Sequence, residues 1–343
     1  MRTLHLIIAL VVVSLGLASA AVAGHRSTGD HDRVKSLALL DHDDDEDGAG
    51  APFCRQAAYA ALIACQAEVQ DDFWIAVAGC VNVSERAERR TCDAEAKEDR
   101  RDAKEECGEQ LDARRDLCDL LGEGRYDPEF DPVDFVDPDD IGGTVAPNPY
   151  FPLVVGARWV YQGGDETVTV TVTDKTKLIA GVTCRVVTDV VEVDGAAIEV
   201  TDDWFAQDLE GNVWYCGEIS QEFETFQGDE PEELELVSIE GSWKAGRDFD
   251  KPGMLVLAFP QVGDVYREEF SLGNAEDAAE VTSLTGDESV PAASCDDECL
   301  VTRNFSPLSP GSEETKYYAP GVGLILEVSG DGDRNELVEF TMP

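Results

Sequence analysis

From residue 148 to the C-terminus, hydrophobic and polar positions alternate with a period of two. In Glu166–Thr173, Val168, Val170 and Val172 fall on one side and the intervening threonines on the other, the pattern of a half-buried antiparallel strand. Similar runs recur near 153–162, 182–193, 197–206, 212–219, 233–243, 254–259, 262–272, 277–284, 299–305, 314–319, 323–329 and 335–342. Gly163-Gly164, Asp194-Gly195, Gly228-Asp229, Pro252-Gly253 and Pro310-Gly311 punctuate them as turns. About a dozen short strands without a helical period between them predict a mainly β domain over 148–343: an antiparallel barrel, half-barrel or sandwich.

Residues 51–121 read differently. They are rich in Ala, Glu, Arg and Lys and hold no proline after Pro52, which favours helix. Cys54, Cys65, Cys80, Cys92, Cys107 and Cys118 follow one another at spacings of 11, 15, 12, 15 and 11. The series is a palindrome, so nested pairs share one sum of residue numbers, as in an antiparallel register. Eleven residues return an ideal helix to within ~20° of its starting direction and fifteen to within ~60°. The prediction is a helical hairpin riveted by Cys54–Cys118, Cys65–Cys107 and Cys80–Cys92, with a turn at Val81–Ser84 and Asn82 with Glu85 as a capping box for the second helix. Phe73 and Trp74, near that turn, read as closing a thin two-helix core.

Ahead of the hairpin, Arg2, the apolar stretch Leu6–Leu17 and Ala21-Val22-Ala23 make residues 1–23 a secretory signal. Residues 24–50 form an acidic tail, expected to be disordered. Asp43, Asp45, Asp47 and Gly48 imitate the start of a calcium loop, but Cys54 stands where the bidentate glutamate belongs. Residues 122–147 repeat an apolar-Asp-Pro unit and read as an extended, fairly stiff linker.

Charge narrows the picture. The chain of 343 residues has 72 Asp plus Glu against 26 Lys plus Arg, a net charge of −46, or −47 after removal of the signal. Such a balance excludes binding to nucleic acid by phosphate neutralisation and retention on an anionic membrane by basic residues. No run after the signal is apolar enough to insert in a membrane. Between 122 and 343 there are 12 bases against 48 acids, while the hairpin carries only −6. Acidity in the β region is expected to keep exposed strand edges apart and to attract divalent cations.

Ten cysteines and no C-x-x-C fit an oxidising, exported setting. Cys184 with Cys216 and Cys295 with Cys299 are the expected pairs in the β domain, cross-pairing among the four being the alternative. A bond between Cys295 and Cys299 requires a tight turn, since an extended strand would hold their Cα atoms ~13 Å apart. All four histidines, His5, His25, His31 and His42, precede the folded part, which removes His-dependent triads and His-ligated zinc from the candidates.

Asn148–Leu153, Gly156-Ala-Arg-Trp-Val-Tyr161, Ile179–Thr183, Asn212–Tyr215, Gly241–Gly246, Pro260–Asp264 and Lys316-Tyr-Tyr-Ala-Pro-Gly-Val-Gly323 together resemble a family of uncharacterised bacterial secreted proteins. That resemblance implies an all-β domain and no known activity. More distantly, the Tyr-Ala-Pro-Gly-Val-Gly turn is similar to periplasmic lipoprotein-carrier half-barrels, which implies an apolar ligand groove.

Trp159, Trp204, Trp214, Trp243, Tyr317 and Tyr318 are candidates to line such a groove, with core packing as the alternative. Asp331, Asp333, Asn335 and Glu336 place oxygen ligands in a Gly-rich turn and form a calcium candidate; no other cofactor is expected. Asp202, Asp203 and Trp204 suggest glycosidase chemistry, but neighbours on a strand point to opposite faces, and no catalytic residue is assigned. The reading is an exported, soluble, non-enzymatic binding protein, secreted or periplasmic, taking an apolar small molecule or lipid in its β domain. The alternatives are a surface or matrix interaction module with an extracellular protein partner, and a carboxylate-based hydrolase with two facing acids of raised pKa.

Overall fold

The computed structural model describes residues 52–343, so the signal and acidic tail lie outside the described residues. Two units form, over 52–126 and 127–343.

In the first unit, α1 (Phe53–Val81) and α2 (Arg86–Leu121) are joined by Cys54–Cys118, Cys65–Cys107 and Cys80–Cys92, with Cα separations of 5.7, 5.9 and 5.6 Å. The alanine-rich stretch allows this close approach. Little else is buried: Ala58, Val69 and Phe73 on α1, with Ala96, Leu111, Arg114 and Leu117 on α2, besides the cysteines. Arg55 ties the open end by pairing with Asp119 and Glu123. The expected capping box does not form. Asn82 closes α1, its Nδ2 donating to the Ala78 carbonyl at 2.9 Å, and Glu85 is the residue before α2. Residues 82–85 are needed for the reversal itself, which leaves the second helix no spare residue for a box.

The second unit is a 14-stranded antiparallel sheet: β1 (Arg158–Gly163), β2 (Glu166–Ile179), β3 (Val182–Val193), β4 (Ala196–Gln207), β5 (Val213–Glu224), β6 (Glu235–Ser238), β7 (Trp243–Lys244), β8 (Gly253–Val256), β9 (Val265–Arg267), β10 (Ala278–Val290), β11 (Ala293–Phe305), β12 (Glu313–Ala319), β13 (Gly323–Ser329) and β14 (Arg334–Thr341). Its order runs β6-β5-β4-β3-β2-β1-β14-β13-β12-β11-β10-β9, with β7 and β8 added along β5. First and last strands do not pair, so the ladder is open. One isolated bridge, Lys251 with Phe270, nevertheless sets the chain before β8 beside the chain after β9.

The alternation read from the sequence matches burial in β2, where Val168, Val170 and Val172 are buried and the threonines half-buried. The run expected from 153 starts as a strand only at Arg158. Before it, Asn148 Oδ1 accepts from the amides of Tyr150 and Phe151 and holds the chain in a turn. The segment expected as a linker is integrated from residue 127 on. Phe130 and Phe135 pack against the Trp214 ring, Phe135 bridges to Asp208, and Asp131 and Asp137 cap two short 3-10 turns.

Cys184 pairs with Cys216 and Cys295 with Cys299. The second bond closes a bulge within β11: Gly286 lies opposite Cys299 and Glu288 opposite Cys295, so five residues face three, and the Cα separation falls to 5.4 Å.

Candidate functional site

The inner face of the β unit carries a run of carboxyl groups that pleating and register assemble. Along β4, Glu199, Thr201, Asp203 and Phe205 share the inward face and are all buried. β5 lies antiparallel beside it, with Glu222 opposite Glu199, Ser220 opposite Thr201 and Glu218 opposite Asp203. A register shift at Gly217, which holds φ +126°, then brings Tyr215 opposite Phe205. The two rings stack with centroids 4.6 Å apart, and the Tyr215 hydroxyl lies 2.6 Å from Asp203 Oδ1 and 2.9 Å from Glu218 Oε2.

More acids come from residues 268–277, between β9 and β10. Trp243 Nε1 donates to Glu269 Oε1 at 2.9 Å, and Trp243 itself is the register partner of Glu218. Asn304 Nδ2 donates to Glu268 Oε2 at 2.8 Å, while Asp277 lies against Ser306 and Glu269. Lys316 is the ammonium group of this region, 3.7 Å from Glu327 and 3.9 Å from Glu314.

Removal from water dominates the chemistry of these groups. It lifts Asp203, Glu199 and Asp277 to about 7, and Glu218 and Glu269 well above the carboxylate range, with neighbouring carboxylates adding to the effect. Glu327 rises to about 8 through burial and Glu314 beside it. Burial alone would lower Lys316, but Glu327, Glu314 and Glu268 outweigh it and keep the ammonium charged. Hydrogen-bond bookkeeping agrees. Tyr215 has one hydroxyl proton and two carboxyl neighbours within bonding distance, so donating along both contacts requires a proton on Asp203 or Glu218. Glu199 Oε2 and Asp277 Oδ2 are buried and receive no hydrogen bond.

The aromatic candidates do not surround one groove. Trp159 is buried, donates to the Val322 carbonyl at 2.7 Å and stacks on Phe151. Trp204 lies on the face opposite Asp203 with the Lys177 ammonium 3.4 Å above its ring. Trp214 donates to Asp208 Oδ2 at 2.8 Å. Of the six, Trp243 and the buried Tyr318 come closest to the carboxyl cluster; Tyr317 is half-buried.

The calcium candidates diverge. Asp331 and Asp333 are exposed in the turn after β13, and Asp331 accepts from Ser329. Asn335 is buried opposite Glu327, and Glu336 pairs with Arg334 at 2.8 Å. Among the described residues no group of three or more His, Cys, Asp or Glu side chains is arranged to hold a metal ion.

Asp202 and Asp203 point apart, as expected: Asp202 accepts from Thr188 at 2.9 Å while Asp203 faces inward. The partner that sequence reasoning missed is Glu218. Its signal was the matching spacing of Glu199-x-Thr-x-Asp203 and Glu218-x-Ser-x-Glu222, each with polar groups on one parity of a strand.

The chain is thus a mainly antiparallel β protein preceded by a helical hairpin whose helices are joined by disulfides. Comparison with protein-family models, curated proteins and solved structures finds no match. Among the described residues no helix is long and apolar enough to cross a membrane, and five disulfides are the chemistry of an oxidising compartment.

Proposed function

We propose that the protein is exported and acts by binding, and that its site is the carboxyl-lined interior of the β unit. The ligand is a small organic cation rich in N–H donors, of the linear polyamine class. The observation that carries this reading is the donor deficit: buried carboxyls crowd one interior, and Glu199 Oε2 and Asp277 Oδ2 accept nothing. Buried acids with displaced titration cluster at functional sites. An apolar ligand is less well served, because the aromatic side chains nominated for it are engaged in packing and in hydrogen bonds. Hydrolysis is less well served too: the Tyr215 hydroxyl is bonded to both Asp203 and Glu218 and occupies the place between the two carboxyls where a scissile bond would lie.

The test is thermal unfolding and native mass spectrometry of the mature chain with spermidine at about 0.15 M salt, where exposed charges are screened beyond ~8 Å. Spermidine is expected to bind one to one and raise the β-unit midpoint. The double variant Asp203→Asn, Glu218→Gln, which alters the surface charge hardly at all, is expected to lose both effects. A shift that survives in the variant, or a lipid co-purifying with the exported protein, would overturn the reading.

A further inference from the structure

Four of the buried acids, Asp203, Glu218, Glu269 and Asp277, meet where the strands of the sheet are shortest. β1 to β5 and β10 to β14 are antiparallel strands of six to fourteen residues, but the chain between β5 and β10 contributes only β6 to β9, of four, two, four and three residues. β7 and β8 attach to β5, while β9 attaches to β10. Beside β8 and β9 lies the isolated Lys251–Phe270 bridge, with Lys251 N donating to Phe270 O at 3.0 Å. Packing there is close: a Cβ on Gly253 would stand 1.9 Å from the Glu268 carbonyl oxygen. This line of contact is a seam.

Carboxyls face it from both sides. Glu218 belongs to β5, with Asp203 behind it on β4; Glu269 and Asp277 belong to the opposite side, and Glu218 feels the charge of both. The side-chain links across are Trp243 Nε1 to Glu269 Oε1 and Asn274, which accepts from the Gly241 amide and donates to the Gly241 and Ser242 carbonyls. The other groups facing these four are Tyr215 from β5, Glu199 and Asp202 from β4, Glu268 from the far side and Lys316 from β12. Of these Lys316 alone is cationic, and it already serves Glu314 and Glu327. Ionising the four seam acids therefore sets like charges against one another in a dry interior across a boundary made of short strands.

We infer that the seam between β8 and residues 268–270 is a proton-operated latch, closed while Asp203, Glu218, Glu269 and Asp277 share protons and opened when they lose them. It regulates access to the interior and rests on the proposed binding reading for its purpose, though not for its motion. Protons and an organic cation then compete for the same carboxyl oxygens. The cation enters as protons leave.

The experiment is hydrogen-exchange mass spectrometry on the mature chain without ligand, between about pH 5 and about pH 8.5, with protection corrected for the intrinsic exchange rate. Peptides spanning 241–256 and 265–277 are expected to lose at least about tenfold more protection than those of β1 to β2 as the pH passes neutrality, while those of α1 and α2 keep theirs. Glu218→Gln, which holds a hydrogen-bonding neutral group at the same place, is expected to abolish that step. Seam protection that does not change with pH, loss spread equally over the molecule, or a step that persists in Glu218→Gln would overturn the latch. A fixed seam with intact spermidine binding would remove the latch alone; a moving seam with no binding would remove the ligand alone.

Discussion

The two units solve the problem of an acidic chain in opposite ways. Residues 51–121 hold sixteen acids, and among the described residues of this unit none is buried; the interior consists of cystines, alanines, a few larger apolar groups and Arg114. The β unit buries eleven Asp and Glu side chains, among them Glu199, Asp203, Glu218, Glu269 and Asp277. In the hairpin, cohesion is covalent and every acid of the described residues stays in water. In the sheet, cohesion is apolar packing, and the carboxyls set into it are pushed by burial toward their neutral form. A single net charge for the chain hides this, since an acid with a proton contributes nothing to it. The expectation that acidity in the β region protects strand edges concerns the acids that remain outside, not these.

The comparison breaks most completely if reduction fails to separate the units. Cys54–Cys118, Cys65–Cys107 and Cys80–Cys92 span 64, 42 and 12 residues. Bonds closing such loops each stabilise by roughly 3–4 kcal/mol, together comparable to the whole stability of an ordinary domain. Seven buried residues besides the cysteines cannot replace them. Full reduction is therefore expected to abolish the helical far-ultraviolet signal, with the β signal retained at mildly acid pH. A reduced chain that keeps its helices would show that the hairpin is held by packing after all.

Next in size is the response to pH. Burial raises the interior acids, Asp203 and Asp277 to about 7, so the folded state binds protons that the unfolded state releases near 4. Stability from this source is fully present below about pH 4 and is lost as the pH rises through about 7. One such carboxyl corresponds to on the order of 4 kcal/mol, or roughly 10 °C in midpoint for a unit of this size. The β transition should therefore fall steadily between acid and mildly alkaline pH while the hairpin transition, with no buried acid to titrate, stays level. Calorimetry across that range decides it; a β midpoint that rises with pH would mean the acids are ionised inside.

Sequence reasoning reached the hairpin because its register is written in one variable, the cysteine spacing, and each helix is a local object. It reached the faces of β2 and the divergence of Asp202 from Asp203 for the same reason, since alternation is local. It did not reach the carboxyl cluster. Whether Asp203 meets Glu218 depends on the turn at 208–212 and on the shift at Gly217, both of which set register between strands instead of direction within one. Residues 268–277 enter from still farther along the chain, through a seam that no spacing encodes. The capping box failed on a smaller scale, because a motif match at Asn82 ignores how many residues a reversal uses.

Gly217 offers a sharper test of the β side. Its φ of +126° lies where side chains are strained, and an added Cβ would stand 2.4 Å from the Trp243 carbonyl oxygen and 2.7 Å from the Lys244 Cα. Backbone cannot yield there without parting β7 from β5. Gly217→Ala is expected to lower stability by roughly 2–4 kcal/mol and, by shifting Tyr215 and Glu218, to flatten the pH dependence. A urea midpoint within experimental error of the native protein would mean that the shift in register is not what holds the carboxyl contact.

At the other end of the scale stands Trp74. It adjoins the buried Phe73, ring centroids 5.0 Å apart, but remains 59% exposed, and the Arg100 guanidinium lies over Phe73, 3.8 Å from its centroid. If cohesion in the hairpin is chiefly covalent and its thin core is closed by Phe73, then Trp74 adds little. Trp74→Ala is expected to change the stability of the oxidised hairpin by no more than about 0.5 kcal/mol, the range for a surface position. Measured in the fully oxidised chain by thermal unfolding followed at the helical band, a larger loss would place Trp74 inside the core. It would also narrow the contrast between a unit held by sulfur and one held by its interior.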